Sequence, residues 1–289
     1  GPDVQSRRIE LTIPPAADGD FQLDPAALHI WPRRSFMLIA LPNPDRTFTC
    51  TLFLAFEADQ ADQASPGFDQ LQTPSAVQAF FESHFPDVLP LMPDLLREFM
   101  RNPVGALSTI RLAPWHADGD LLLIGDAAHG IVPFFGQGMN AAFEDCTVLM
   151  QMLRQAGPTT TPAQWQDLFN AFSRARKPDT EAIADMALEN FIEMRDRVAD
   201  PLFLLHKQLS LRLEARYPDV FIPKYSLVSF HRVPYALAKL HGELQQEVLT
   251  QLCAGLSGPE DIERIDWNRA EELVRKFRQQ APSLNDPDT

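Results

Sequence analysis

Between Leu28 and Phe56 the apolar positions come in short runs and alternations that belong to strands. The last is the clearest: Phe48, Cys50, Leu52, Leu54 and Phe56 fall on one face, and Thr47, Thr49, Thr51, Phe53 and Ala55 on the other. Ahead of it the run Phe36 to Leu41 closes on Pro42-Asn43-Pro44-Asp45, a turn signal joining two strands, so an antiparallel sheet is the simplest arrangement. Phe53 stands on a face otherwise lined by Thr. Either that face covers something only partly polar, or the ring fills a sheet–helix interface.

Residues 58–75, rich in Asp, Gln, Ala, Ser and Pro, read as a loop, and 76–100 show a helical pattern around Val77, Phe80, Phe81 and Phe85, broken at Pro86 and Pro90. Leu121 to Ile124 predicts a short, fully apolar, buried strand ending at Gly125-Asp126. From Met139 the positions Met139, Ala142, Phe143, Cys146, Leu149, Met150 and Leu153 step mostly by three and four, a helix stopped by Gly157-Pro158. The stretch from Pro162 to about Gln280 is helical in texture, with breaks expected near Pro178, Pro201, Pro218 to Pro223 and Pro234. There is no internal repeat, and only Asp286 to Thr289 looks frayed.

Composition narrows the class. The chain has 289 residues, 45% hydrophobic and 22% charged, with 20 Phe, enough apolar content for a packed interior. Its formal charge of −14 argues against a surface that neutralises phosphates, so nucleic acid is not an expected partner. Cys50, Cys146 and Cys253 are far apart and form no C-x-x-C pair, which fits reduced, buried thiols in the cytosol. No apolar stretch approaches the roughly 18–20 residues that span a bilayer, and the N-terminus has no apolar signal core, so no membrane partner and a cytoplasmic location are expected.

The densest chemical signal runs from Leu121 to Asp145. A strand would deliver Asp126 at its carboxyl end, where open α/β sheets bind ligands, and Gly136-Gln137-Gly138 opens the following helix. Unpaired N–H groups and the positive end of the helix dipole would face the same crevice. An acceptor carboxylate beside a donor-rich helix start suits a ligand with hydroxyls and an electron-rich ring or a developing negative charge. Gly136-x-Gly138-x-x-Ala141 matches the dinucleotide fingerprint formally, but it follows a loop rather than a strand. His129 reads as structural or capping, because neither H-E-x-x-H nor G-x-S-x-G is present and the other histidines show no ligand spacing, so no metal is expected.

Gly125-Asp126-Ala127-Ala128-His129, then Pro133 and Gly136-Gln137-Gly138-Met139-Asn140, resembles the second flavin motif of the single-component aromatic hydroxylases, FAD monooxygenases of the p-hydroxybenzoate hydroxylase fold. The phrases Leu28 to Pro32, Phe36 to Asn43, Phe48 to Phe53, Val132 to Asn140, Glu189 to Met194 and Phe221 to Tyr225 are similar to the kynurenine 3-monooxygenase branch of that family, over roughly residues 9–245. The resemblance implies a fold of mixed α+β and α/β class. An antiparallel substrate-binding sheet with its helix would occupy 1–104, part of an FAD-binding Rossmann-like domain 105–157, and a C-terminal helical domain 158–289.

For the site, the resemblance implies that Asp126 bonds the ribityl chain of FAD, with Pro133, Gly136, Gly138, Met139 and Asn140 along the flavin. Substrate positions match Leu28, Met37, Ile39, Leu41 and Phe53 of the sheet, Pro133, Phe134 and Gln137 of the flavin loop, and Asn190, Glu193, Met194 and Tyr225 of the helical part. The residues themselves leave two readings. Ile183, Ala187, Asn190, Met194 and Val198 step along one helix face with Glu193 beside it, either a ligand-facing stripe or a solvated helix edge. Tyr225 is either a ligand contact or a core Tyr bonded to backbone.

The implied reaction is reduction of FAD by NADPH, capture of O2 and transfer of oxygen from a C4a-hydroperoxide to the ring of L-kynurenine, with no side chain acting as a strong acid or base. The family's N-terminal G-x-G-x-x-G, its second Asp-Gly motif and an Arg and a Tyr that clamp the substrate carboxylate find no match here. The chain is therefore expected to be the C-terminal part of such an enzyme, with the N-terminal FAD-binding part as its partner and a homodimer compatible with it. The alternatives are a related hydroxylase of another aromatic acid, or a non-catalytic remnant that binds flavin or another ligand.

Overall fold

A computed structural model describes residues 6–59, 65–158, 161–197 and 200–284. The chain divides into two compact units: residues 1–108 with 192–198, and residues 109–191 with 199–289. The architecture is α+β. The expected fraying of Asp286 to Thr289, the stripe position Val198 and residues 60–64 of the expected loop lie outside the described residues.

In the first unit, alternation builds a five-stranded sheet from β1 (Ser6–Ile13), β2 (His29–Pro32), β3 (Met37–Pro42), β4 (Phe48–Ala55) and β5 (Gly105–Ala106). Its order is β2-β3-β4-β1-β5 and every pairing is antiparallel. Ile9, Leu11 and Ile13 of β1 join Phe48, Cys50, Leu52 and Leu54 of β4 and Leu38 and Ala40 of β3 in one apolar core. Helices α1 (Pro74–His84) and α2 (Leu95–Arg101) close it with Val77, Phe80, Phe81, Leu95 and Phe99. Thr73 caps α1 by accepting from the Ala76 N–H, and Pro74 fits the first helical position, where its missing donor is not needed. Glu98 of α2 accepts from the Thr12 N–H at 2.8 Å, pinning this helix to β1. Phe56, expected on the core face, is 46% exposed, because regular pairing ends at Ala55.

In the second unit, β6 (His116–Ala117) and β7 (Leu121–Leu122) form a two-stranded antiparallel ribbon. The expected buried strand over Leu121 to Ile124 is thus only partly realised: Leu121 and Ile124 are exposed, and pairing lasts two residues on one side. Then come α3 (Asp126–His129), α4 (Gly138–Ala156) and α5 (Pro162–Ile192). The break expected at Pro178 does not occur, and α5 runs through it. A mid-helix proline costs about 3 kcal/mol, and here burial of Phe172, Arg176, Thr180, Ala182 and Ile183 on either side holds the helix together. The other breaks appear: α6 (Pro201–Arg216), α7 (Lys224–Phe230), α8 (Tyr235–Leu252) and α9 (Trp267–Gln280) follow, with Asp200 and Asp266 capping α6 and α9. Leu205, Leu209, Leu213, Phe221, Val248, Leu249, Leu273 and Phe277 make the core of this helical part. Among the described residues no helix is long and apolar enough to cross a membrane, and no cluster of three His, Cys, Asp or Glu is placed to hold a metal ion.

Candidate functional site

The site in the second unit is built around a turn that only glycine tolerates. Gly125 is buried with φ +58°, and a Cβ there would approach the Ala142 Cβ to 3.2 Å, so the turn is pressed directly onto α4. Its N–H donates to Asp145 Oδ2 at 2.9 Å, and the same oxygen meets His129 Nε2 at 2.5 Å. Arg176 of α5 donates through Nε to Asp145 Oδ1 at 2.8 Å, pairs with Glu144 at 2.9 Å and with Asp179 at 3.6 Å, and reaches the Ala141 carbonyl. Asp145 is fully buried. Burial pushes its carboxyl up, but hydrogen bonds from His129, Arg176 and the Gly125 N–H outweigh that and hold it below the ordinary carboxylate range. His129 thus takes the structural role expected of it, packed against Trp115 with ring centroids 5.1 Å apart.

With the turn fixed in this way, Asp126 opens α3 exposed. It makes no side-chain hydrogen bond among the described residues. The chain then winds through Pro133, Phe134 and Phe135 to Gly136, which is left-handed at φ +68°, and into α4. Gln137 is the N-cap residue of α4 but its side chain does not cap. The first bond into the helix runs from the Ala141 N–H to the Gln137 carbonyl, leaving the N–H groups of Gly138, Met139 and Asn140 without an intrahelical partner. A Cβ added at Gly136 or Gly138 would meet nothing within 4 Å, so this backbone is open to close approach. Met139 is 67% exposed, and Asn140 and Pro133 are exposed as well.

Three other helices fasten the loop. Asn190 of α5 donates to the Phe134 carbonyl at 2.6 Å, and Phe134 packs on Phe191 with centroids 4.4 Å apart. Phe135 stacks on Tyr225 of α7 at 5.7 Å and 26°. Tyr235 of α8, buried, donates its hydroxyl to Gln137 Oε1 at 2.9 Å, and Asn140 Nδ2 donates to the same oxygen at 2.8 Å. Sequence reasoning assigned no role to Asp145, Arg176 or Tyr235. The acidic pair Glu144-Asp145 inside an otherwise apolar helical pattern was the available signal.

In the first unit, the register places Met37 opposite Phe53, Ile39 opposite Thr51 and Leu41 opposite Thr49, so Met37, Ile39, Leu41 and Phe53 share the sheet face turned away from the core cluster. Met37, Ile39 and Phe53 are buried, whereas Leu41 and Leu28 are each 45% exposed, and Leu28 precedes β2 outside any strand. Residues Glu193–Arg197 form a single π-helical turn packed against β2. Met194 in this turn is buried and Glu193 half-buried. The α-helix behind the expected stripe of Ile183, Ala187, Asn190 and Met194 ends at Ile192, and Met194 falls in the π-helical turn that follows.

Residues 97–187 match a family model described as FAD binding domain. Over 92% of its length the chain is 50% identical to kynurenine 3-monooxygenase of Myxococcus xanthus (strain DK1622), covering 54% of that protein. The resemblance therefore extends over nearly the whole of this chain and about half of that enzyme. The corresponding enzyme of Stenotrophomonas maltophilia (strain K279a) is 46% identical over 92% of this chain and 55% of its own. That of Dictyostelium discoideum is 43% identical over 93% and 58%. The chain spans about half the length of the curated relatives it matches. Among solved structures it is similar to pqsL, a probable FAD-dependent monooxygenase from Pseudomonas aeruginosa, at 18% identity over 67% of this chain and 50% of that one, with a TM-score of 0.46.

Proposed function

We propose that this chain supplies one side of the flavin site and substrate-binding residues of an FAD- and NADPH-dependent hydroxylase that acts on L-kynurenine. The observation that carries the reading is the uncapped start of α4 beside an exposed, unpartnered Asp126, in a chain half identical to a kynurenine 3-monooxygenase over nearly its whole length. The residues fit a flavin. Open backbone at Gly136 and Gly138 admits a flat ring system, the free N–H groups of Gly138, Met139 and Asn140 offer donors to an electron-rich edge, and Asp126 offers an acceptor to a polyhydroxyl chain.

When bound, FAD would supply the oxygen-activating redox chemistry. The chain's own residues would bind, orient and exclude water. Partial positive charge at the start of α4 favours negative charge on a reduced ligand by about 0.3–1 kcal/mol in exposed geometry and more where water is excluded. Phe134 and Phe135 are buried against Phe191 and Tyr225 and fix the loop that leads into those donors, and Asn190 donates to the Phe134 carbonyl of the same loop. Leu28, Met37, Ile39, Leu41, Phe53, Pro133, Phe134, Gln137, Asn190, Glu193, Met194 and Tyr225 remain substrate contacts in this proposal, supported by the resemblance. The N-terminal FAD-binding part of the same enzyme would grip the rest of FAD, and location in the cytoplasm fits such a hydroxylase.

The test is to purify the chain alone and together with a polypeptide supplying the other half of a relative's length. The combination should be yellow, oxidise NADPH in the presence of L-kynurenine and form a hydroxylated product. If it binds flavin yet responds to another aromatic acid and not to L-kynurenine, the substrate assignment falls. If it binds no flavin under any combination, the hydroxylase reading falls altogether.

A further inference from the structure

The geometry assigns Tyr235 as a positioning residue: with Asn140 it saturates the carbonyl oxygen of Gln137, so that the Gln137 amide presents its NH2 group, and not its oxygen, to a bound carbonyl or carboxylate oxygen. This rests on the reading above that Gln137 borders the substrate.

A carboxamide oxygen has two lone-pair positions, and here both are filled, by the Tyr235 hydroxyl at 2.9 Å and by Asn140 Nδ2 at 2.8 Å. Flipping the amide would set its NH2 against the Asn140 NH2, donor against donor. The orientation therefore holds unless both amides reverse together. Gln137 is buried and its Nε2 makes no hydrogen bond among the described residues, leaving two donors whose natural partner is an acceptor oxygen. Tyr235 is suited to this part: it is buried at the first position of α8 behind Pro234, and burial pushes its phenol up to about 12, so it remains a donor through the neutral range. Tyr235 itself carries no group toward the substrate and acts through Gln137.

The test uses the complete enzyme carrying this chain, with two kinds of readout. Flavin absorbance changes on titration with L-kynurenine give ligand affinity, and the side-chain amide resonances of Gln137 give its orientation with no ligand present. Gln137→Glu keeps an acceptor for both Tyr235 and Asn140 but has no NH2; it should melt within a few degrees of the parent and bind L-kynurenine at least tenfold more weakly. Tyr235→Phe should weaken binding about fivefold, the size of one neutral hydrogen bond, and move both Gln137 amide proton signals toward those of a freely turning glutamine side chain. In a Gln137→Ala background Tyr235→Phe should cost nothing further. Parent-like binding by Gln137→Glu, or full additivity of the two substitutions, overturns the proposal. If the parent enzyme itself fails to bind L-kynurenine, the functional reading falls, and unchanged amide signals in Tyr235→Phe still overturn the positioning role on their own.

Discussion

Helices α4 and α8 are nearly the same length, 19 and 18 residues, and both show amphipathic spacing in sequence, yet they are held in opposite ways. Helix α8 buries Tyr235, Leu237, Ala238, His241, Gln245, Val248, Leu249 and Leu252. Helix α4 buries only Ala141 and Asp145, and its apolar residues Met139, Phe143 and Met150 are 67%, 63% and 50% exposed. One helix is fixed by apolar area and the other by a buried carboxylate with three donors. The proposed function would account for the difference: a helix whose first turn is to take a ligand is better anchored from the far side by a directional ionic contact than wrapped in side chains.

The comparison can be broken most directly at Asp145. Asp145→Ala leaves Arg176 and His129 buried without their partner and should destabilise the chain by about 3–5 kcal/mol in urea unfolding. The parent should also lose stability on acidification in a way the variant does not. Because the folded-state pKa of Asp145 is depressed, its contribution is present above the unfolded carboxylate value and is lost as pH falls through the folded one. A variant with the parent's acid-unfolding profile would contradict the anchoring role. For α8, Leu249→Ala removes buried volume and should cost about 2–3 kcal/mol with little dependence on pH. At the contact between turn and helix, Gly125→Ala adds left-handed strain and a crowded Cβ, about 1–2 kcal/mol. It should weaken flavin retention more than it lowers the melting temperature. The smallest effect should be Phe143→Ser on the outer face of α4, within about 0.5 kcal/mol in this chain; a larger loss would mean that the face is covered.

The sequence disclosed these features unevenly, for physical reasons. β3 and β4 were legible because a two-residue period reports directly on a buried face, and the period of α4 gave its helix but overstated its burial, since Met139, Phe143, Cys146 and Met150 are exposed. β1 was not read as a strand, although Ile9, Leu11 and Ile13 alternate with Arg8, Glu10 and Thr12, because its pairing with β4 lies about 40 residues away and local composition is charged. The spacing of Leu121 to Ile124 overstated burial, since an apolar run does not reveal how many neighbours it will have. The open start of α4 was visible in Gly136-Gln137-Gly138. The Asp145–His129–Arg176 cluster and the Tyr235–Gln137 bond were not, because they join side chains separated by 16, 31 and 98 positions that no local pattern relates.

The exposed ridge of Met139, Phe143 and Met150 has a colloidal consequence. A chain with net charge −14 repels its own copies, and at low salt that repulsion keeps such ridges apart. At about 1 M salt the screening length shrinks to roughly 3 Å, and the same ridges then meet as greasy surfaces. Raising the ionic strength should therefore favour association through such exposed apolar side chains, this ridge among them.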